Sequence, residues 1–311
     1  MPKRIEAIVV RIADGGGPDP ALATAVEIAR HAGAPLHVVH AFALPPIFTM
    51  VPGLDMVDPR GPDTYAGQVR DEMEARVRRL HPDADLVCHA APGRPDAVLC
   101  DKAEEVGAEL IVVGATRQAR LSQAILGTTA QRVLRASPVP VYVARGRPRA
   151  PHRVLFTTDL SEPSARVHEL GMDVLERLFG LARMELRSLL VVFFGIIPSP
   201  LPQDALDRSA RAELGAFLAA RRPRDRHVES AVRYDEPGTA IAAEARDWSA
   251  DLVILGTHAR GTAERIFLGS VAETALRELP CDALVIPPQA ASAAGGAEVS
   301  SAHLEQKCVS A

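Results

Sequence analysis

The chain contains the same sequence pattern twice. Glu109-Leu-Ile-Val-Val-Gly114 is matched by Asp251-Leu-Val-Ile-Leu-Gly256 in the second half of the sequence. Gly127-Thr128 is matched in the same way by Gly269-Ser270. In both cases the second-copy residues follow their first-copy counterparts by the same number of positions, which we call the repeat offset. Each copy therefore combines a buried strand, a glycine, a loop and a second glycine before a helix. Because 311 residues are many for one hydrophobic core, the repeat predicts two domains of about 150 residues each.

Strand-like runs alternate with helical patterns through both copies. This alternation predicts an α/β fold with two tandem domains, each an open five-stranded, mainly parallel sheet with helices on both faces. We place the first domain at residues 1–145 and the second at residues 152–288. The remaining residues, 289–311, are rich in Ala, Ser and Gly and are predicted to form a disordered tail.

Composition excludes several classes of function. The net charge is −4, from 35 basic and 39 acidic residues, so we expect no binding of nucleic acid. No run of 18 apolar residues occurs, so we expect no membrane span. The amino-terminal residues lead directly into a strand-like segment, without the apolar region of a signal peptide, which predicts a cytoplasmic protein.

Cysteine and histidine spacing gives no sign of a metal site. The four cysteines form no CxxC pair, and no Cys/His cluster has zinc spacing, so reduced structural thiols are expected. His37 and His40 lie three residues apart in a predicted strand and would face opposite sides of the sheet. We therefore predict no metal ligands.

The loop of the second copy has features that suit a phosphate. Gly256 ends a strand, and a glycine there permits positive φ and close approach of backbone N–H groups to a ligand. Ser270-Val-Ala-Glu273 has the spacing of a capping box, so a helix should begin there with its amides directed outward. The same capping box and turn glycines would also let the loop fold without any ligand.

The complete pattern resembles the universal stress protein family. A strand opening with Asp-Leu is followed by Gly-x2-Gly-x9-Gly-[Ser/Thr], here with Ala259 at the second glycine. Val154-Leu-Phe-Thr-Thr-Asp159 and the Pro-x-x-x-Leu-Val-Ile ending at residues 280–286 match further family features. Since the resemblance covers nearly the whole chain twice, the chain is similar to the tandem, two-domain members.

The resemblance implies a strand order of 3-2-1-4-5 in each domain and pairing of the two domains through their last strands, 139–143 and 282–286. Some members bind ATP, for which Mg²⁺ would be the counter-ion. Carried over by position, the residues that would line an ATP site in the second copy are Asp159, Val192, Leu255, Gly256, His258, Ala259, Gly269, Ser270 and Val271. Asp159 has a second interpretation, since an Asp before Ser161-Glu-Pro-Ser can cap the next helix.

The two copies depart from the family pattern to different degrees. A Cβ at Ala259 costs roughly 1 kcal/mol if that position requires positive φ. The first copy has Arg117 at the corresponding place and no second glycine before Gly127, so we expect it to serve as a scaffold. The sequence thus predicts a stress-response regulatory protein that binds ATP or a related adenine nucleotide in the second domain. No nucleophile or general base is evident, so we predict no enzyme, with slow ATP hydrolysis only incidental.

The segment 43–62 supports a second hypothesis. It contains eight large apolar residues in a predicted loop, and such a surface must be covered. The segment either folds back onto its own domain or binds a protein or a hydrophobic ligand. In the latter case the protein would be a nucleotide-independent interaction module. The sequence leaves open whether two chains form a homodimer.

Overall fold

The computed structural model describes residues 4–12, 19–43, 61–117, 124–145, 148–193, 202–221, 226–257 and 268–287. Its strands are β1 Ile8–Arg11, β2 Leu36–Phe42, β3 Leu86–Pro92, β4 Leu110–Gly114, β5 Thr116–Arg117, β6 Ala124–Ile125, β7 Val141–Ala144, β8 Arg153–Thr158, β9 Glu185–Val191, β10 Val228–Arg233, β11 Leu252–Gly256 and β12 Asp282–Ile286. Its helices are α1 Pro20–Ala32, α2 Gly61–Leu80, α3 Pro95–Glu105, α4 Thr128–Ala136, α5 Glu162–Phe179, α6 Gln203–Arg221, α7 Pro237–Asp247 and α8 Ser270–Glu278. We call β1 to β7 the N-terminal half and β8 to β12 the C-terminal half.

Local sequence determines where the first helix begins and ends. The side chain of Asp19 accepts hydrogen bonds from the backbone N–H groups of Ala21 and Leu22, at 3.0 and 3.3 Å, and caps α1. Pro20 fills the first helical position, where no N–H is needed. Gly33 ends the helix with φ of 59°, a left-handed conformation that favours glycine.

Ten strands form one continuous sheet in the order β10-β9-β8-β11-β12-β7-β4-β1-β2-β3. Within each half the order is 3-2-1-4-5, which confirms the expected α/β class and topology. The pairs inside each half are parallel, and the first strand of each half lies between its second and fourth. The chain runs from β8 to β9 on one side and from β11 to β12 on the other, so a switch point lies between the neighbouring strands β8 and β11.

The two halves join through β7 and β12, which pair antiparallel with Tyr142 opposite Leu284. This confirms the expected pairing of the last strands. The buried hydroxyl of Tyr142 donates to Asp282 Oδ2 at 2.9 Å, and the backbone N–H of Arg145 donates to Asp282 Oδ1 at 2.6 Å. Burial and the nearby carboxylate raise the pKa of Tyr142 well above its ordinary value, so the hydroxyl keeps its proton. The junction is therefore a hydrogen-bonded strand pair with a buried polar centre.

Two apolar layers sandwich the sheet, one on each face. One layer contains side chains of α1, α2, α5 and α6, and the other contains side chains of α3, α4, α7 and α8. Both layers run through both halves, and α1 packs against α5 across the junction. Helices therefore cover both faces, as predicted.

Several sequence predictions lie outside the described residues. These are the apolar segment 43–62 apart from its ends, and the tail 289–311. Cys88, Cys100 and Cys281 are free thiols, and burial raises their pKa to about 11, 11 and 12 respectively. Among the helices that the structure describes, none combines the length and apolar character needed to cross a bilayer.

Candidate functional site

A cavity of about 330 Å³ opens at the switch point of the C-terminal half. It lies at the carboxyl ends of β8, β9 and β11, where open parallel sheets bind their ligands. Its size falls within the range of about 300–1,000 Å³ that is usual for small-molecule pockets. The residues that line it are Thr157, Thr158, Asp159, Ser164, Val167, Leu189, Val191, Pro237, Ile241, Leu255, Gly256, Thr257, Gly269, Ser270, Val271 and Ala272.

The cavity brings together six of the nine residues expected to form the site. They are Asp159, Leu255, Gly256, Gly269, Ser270 and Val271. His258 and Ala259 lie outside the described residues. The ninth, Val192, is described but does not line this cavity.

Val191 lines the cavity in place of Val192. Val191 is the last residue of β9 and packs with Leu255 on the α7 side of the sheet. Val192 packs against the layer on the opposite side, and its N–H bonds to the carbonyl oxygen of Arg233 at 2.8 Å. The expected residue, Val192, is one position beyond the residue that lines the cavity. Since successive strand residues face opposite sides of the sheet, its side chain faces away from the cavity. Leu189, two residues before Val191, also lines the cavity, and this alternation was the signal available in the sequence.

Asp159 holds the turn that connects β8 to α5. Its Oδ1 accepts the backbone N–H of Ser161 at 3.0 Å and also the Ser161 hydroxyl. Ser161 is the residue that caps α5, through a hydrogen bond from the Ser164 N–H to Ser161 Oγ at 3.3 Å. Asp159 therefore holds the capping residue Ser161 in place but is not itself the helix cap. Asp159 also borders the cavity. A carboxylate accepts hydrogen bonds only, so at this place it suits hydroxyl or amino donors better than phosphate oxygens.

Gly256 allows close packing against α5. A Cβ at this position would lie 3.0 Å from Cγ2 of Val167, closer than side chains normally approach. Gly256 is not among the glycines with positive φ, so the expected conformational role does not apply. At the corresponding Gly114 of the N-terminal half, a Cβ would lie 3.5 Å from Ala21 Cβ, an ordinary contact.

The amino-terminal end of α8 borders the cavity without a side-chain cap. Gly269 is the capping residue, with φ of −60° and ψ of 148°, and Ser270 is already the first helical residue. The predicted capping box therefore does not form, and Glu273 accepts a hydrogen bond from Arg277 at 3.3 Å instead. First-turn N–H groups have no partner within a helix, and the helix dipole adds positive potential there. This end of α8 can therefore receive an anionic group of a ligand.

Apolar side chains form the other wall of the cavity. Leu189, Val191 and Leu255 come from the sheet, and Ile241 comes from the first turns of α7. The sequence pattern did not indicate Ile241 or Pro237, because only the fold brings the start of α7 over β9. The cavity thus has an apolar side, one carboxylate and one helix end that favours anions.

The described lining residues provide few groups for catalysis. Asp159 is the one titratable side chain among them, and it is engaged in the turn before α5. Across the described part of the chain, no three His, Cys, Asp or Glu residues are assembled in a way that could hold a metal ion. The geometry favours binding of an organic anion over acid–base chemistry.

The corresponding loop of the N-terminal half is closed by a small hairpin. β5 and β6 pair antiparallel, with Thr116 opposite Ile125 and Arg117 opposite Ala124. Arg117 is therefore part of a short extended strand. β6 also lies against α8 of the C-terminal half, so this loop helps to support the other half's site.

Comparison with known proteins agrees with this architecture. The sequence profile described as "Universal stress protein family" matches residues 5–145 and again residues 151–287. A universal stress protein of Mycobacterium tuberculosis is 29% identical over 230 residues, which cover 70% of this chain and 77% of the relative. A universal stress protein of Mycolicibacterium smegmatis is 28% identical over 190 residues, which cover 58% of this chain and 63% of the relative.

Solved structures share the fold over almost the entire chain. A functionally unknown protein from Pseudomonas aeruginosa aligns with a TM-score of 0.65 and 19% identity, covering 93% of this chain and 95% of that one. A universal stress protein from Archaeoglobus fulgidus aligns with a TM-score of 0.62 and 19% identity, covering 91% and 98%. The double profile match, together with the tandem 3-2-1-4-5 sheets, shows that the chain belongs to the universal stress protein family.

Proposed function

We propose that this protein is a stress-response regulator that binds ATP, or a related adenine nucleotide, in the cavity of its C-terminal half. The observation that supports this most strongly is the position of the uncapped α8 end opposite an apolar wall, at the sheet's switch point. A nucleotide has the matching parts, namely an apolar flat base, a sugar with hydroxyl groups and an anionic phosphate chain.

The apolar wall suits the adenine base. Val191 and Ile241 face the cavity from opposite elements, so a flat ring can lie between strand and helix. Asp159 lies at the mouth of β8 and can accept hydrogen bonds from ribose hydroxyls. The Oγ atoms of Thr158 and Ser164, 2.9 Å apart, hold the same turn in place, so the acceptor is preorganised.

The phosphates would extend toward Gly269 and Ser270. The N–H of Gly269 bonds to the carbonyl oxygen of Thr257 at 2.8 Å, which ties the end of β11 to the start of α8. Backbone amides of the first α8 turn would then contact phosphate oxygens. Mg²⁺ would enter with the triphosphate, since the described residues do not assemble a metal cluster of their own.

The N-terminal half acts mainly as a scaffold in this proposal. Its hairpin β5–β6 reaches α8, and its last strand pairs with β12, so binding in one half can alter the stability of both. We propose regulation through stability or partner choice, without efficient turnover. A cytoplasmic location, predicted from the sequence, belongs to the same proposal.

The decisive experiment is calorimetric titration of the full chain with Mg·ATP. Gly269 and Gly127 cap α8 and α4 with nearly the same backbone conformation, with φ of −60° and −63°. Gly269→Val and Gly127→Val therefore make a matched pair, since valine fits that conformation and adds bulk to one half at a time. We expect one ATP per chain in the wild type and in Gly127→Val, and none in Gly269→Val.

Other outcomes would redirect the proposal. Binding that survives in Gly269→Val but is lost in Gly127→Val would place the nucleotide in the N-terminal half. No binding at millimolar ATP would overturn the nucleotide proposal. The interaction hypothesis for segment 43–62 would then be the one to test.

A further inference from the structure

Two histidines that are distant in the sequence meet on the outer part of the sheet. His37 of β2 and His89 of β3 lie on adjacent strands that pair in parallel. His37 Nδ1 and His89 Nε2 are 2.9 Å apart, and the ring centres are 5.2 Å apart with planes inclined by 21°. The rings thus meet nitrogen to nitrogen, and one ring N–H donates to the other ring nitrogen. His89 is 52 residues from His37 in the chain, so the local spacing of histidines did not indicate this pair.

We propose that His37 and His89 form a binding site for a late first-row divalent metal ion, Ni²⁺ or Cu²⁺. Imidazole is a preferred ligand of these ions, which favour square-planar or tetragonal coordination. Two nitrogens bound at right angles, each about 2.05 Å from the metal, are about 2.9 Å apart. The two histidine nitrogens already have this separation, 2.9 Å, and water would complete the coordination.

Binding requires a tautomer change and a rotation of both rings, because in the hydrogen-bonded pair the donor N–H and the acceptor lone pair lie along the line between the two nitrogens. The ring that donates the mutual hydrogen bond moves its proton to its other nitrogen, and both lone pairs then turn toward the metal. Both imidazoles stay neutral throughout, so no proton is released. Burial, followed by the charge of Lys102, lowers the pKa of both histidines.

The site is accessible and its surrounding charges nearly balance. β3 is the edge strand of the sheet, and Val87, on the same face as His89, is 49% exposed. From α3, the facing charged groups are Lys102 and Glu105, which pair with each other at 2.5 Å. The residues of β1 and β2 beside the pair on this face are Val9 and Val39, both apolar.

The corresponding strands of the C-terminal half show that the fold does not require histidines there. By strand register Arg187 takes the place of His37 and Ala231 that of His89, and Arg187 forms an ion pair with the opposed Glu229 at 2.6 Å. Arg187 also pairs with Glu244 at 2.7 Å. Glu244 is the counterpart of Lys102 in the second copy of the repeat. An ion pair thus joins the strands in one half, whereas a pair of metal-ligating side chains joins them in the other.

The test is titration of the tag-free full chain with Ni²⁺ at pH 7.5, followed by calorimetry. His37→Gln and His89→Gln each remove one ligand, and His227→Gln removes an exposed histidine elsewhere as the matched control. We expect one micromolar site per chain, weakened at least about tenfold in either ligand variant and unchanged in the control. Equal binding in wild type and both ligand variants, or no saturable binding below millimolar Ni²⁺, would overturn the proposal.

A second measurement does not depend on the stability of the variants. Ni²⁺ is paramagnetic, so in the wild type it should broaden the imidazole resonances of His37 and His89 before those of other histidines. Broadening that begins at other histidines would show that the pair only joins β2 to β3, as Arg187 and Glu229 join β9 to β10.

Discussion

The two halves of the molecule pack equivalent pairs of helices, α3 on α4 and α7 on α8, with different residues at the contact. The N-terminal half has Asp96 at the position where the C-terminal half has Gly238. Asp96 is paired with Arg94 at 2.7 Å and lies 3.9 Å from Arg132. A Cβ on Gly238 would lie 2.5 Å from Cβ of Thr274, so α7 and α8 are in close contact. Asp96 and Gly238 are separated by the repeat offset, as are Arg132 and Thr274.

This difference has a consequence for the cavity. Close packing of α7 on α8 brings the amino-terminal ends of both helices, at Pro237 and Ser270, to the same cavity. In the N-terminal half, Asp96 is 6% exposed and is paired with Arg94 and with Arg132 of α4. Repetition of a fold therefore preserves strand order, while substitution at a few helix contacts decides how each half can be used.

Placing the aspartate of the N-terminal half at the equivalent position of the C-terminal half should have the largest effect on stability. Gly238→Asp places a side chain against Thr274 and buries a carboxylate without the arginines that serve Asp96. We expect a loss of roughly 3–5 kcal/mol in the free energy of unfolding, measured by urea denaturation. The reverse change, Asp96→Gly, creates no clash and should cost less. Equal losses in both variants would contradict the asymmetry.

Acid should weaken the C-terminal half through His168. This residue of α5 is 1% exposed between Phe156 and Phe217, and its ring nitrogens have no hydrogen-bond partner in the described structure. Burial lowers its pKa to about 4 from an ordinary value of 6.5. The unfolded chain therefore binds a proton that the folded chain does not, and stability should fall by about 3 kcal/mol between pH 6.5 and pH 4.

The N-terminal half supplies the control for this pH effect. Ala21 of α1 faces Gly114, and Val167 of α5 faces the equivalent Gly256. The residues that follow them in the two helices, Leu22 and His168, are therefore counterparts. His168→Leu should remove this part of the pH dependence and stabilise the protein at neutral pH by about 1 kcal/mol. An unchanged pH profile of thermal unfolding in His168→Leu would assign the acid sensitivity to other groups.

The junction between the halves should show a smaller loss. Tyr142→Phe removes the hydroxyl that donates to Asp282, leaving a carboxylate oxygen in a buried place. We expect a loss of about 1–3 kcal/mol in the free energy of unfolding. A double-mutant cycle with Asp282→Ala isolates the pair, and a coupling energy near zero would mean that the hydroxyl contributes nothing to joining the halves.

The smallest expected effect concerns the loop that distinguishes the two copies. Ala259 stands where the family pattern has glycine, and Arg117 precedes it by the repeat offset. Ala259→Gly should tighten ATP binding by up to about fivefold, equivalent to about 1 kcal/mol, if the position needs glycine. Arg117→Gly in the N-terminal half should leave ATP affinity unchanged. Equal gains in both variants, compared by calorimetry, would show that the halves share the binding.

Much of the fold could be predicted from the sequence, because it depends on local and periodic signals. Asp19, Pro20 and Gly33 determine the ends of α1 through their own backbone chemistry. The alternation of strands and helices predicts the layers, and the family resemblance supplies the strand order. The position of the candidate site also follows, since parallel strands end at a common edge.

The residues of the site were harder to predict where a single position matters. Val191 and Val192 have the same chemistry, and only the pairing of β9 with β8 and β10 decides which one faces the cavity. Ser270 has cap chemistry, yet Gly269 is the capping residue, because the first turn of α8 already includes Ser270. Such shifts depend on contacts with other elements, which a local pattern does not contain.

The amino-acid sequence alone was sufficient for the α/β class, the tandem repeat and the ends of α1, since each depends on residues close together in the chain. The three-dimensional packing was needed for the packing role of Gly256 against Val167, the meeting of His37 with His89 and the close contact of α7 with α8. These features join side chains from distant segments, and their distances depend on how helices and strands settle against one another.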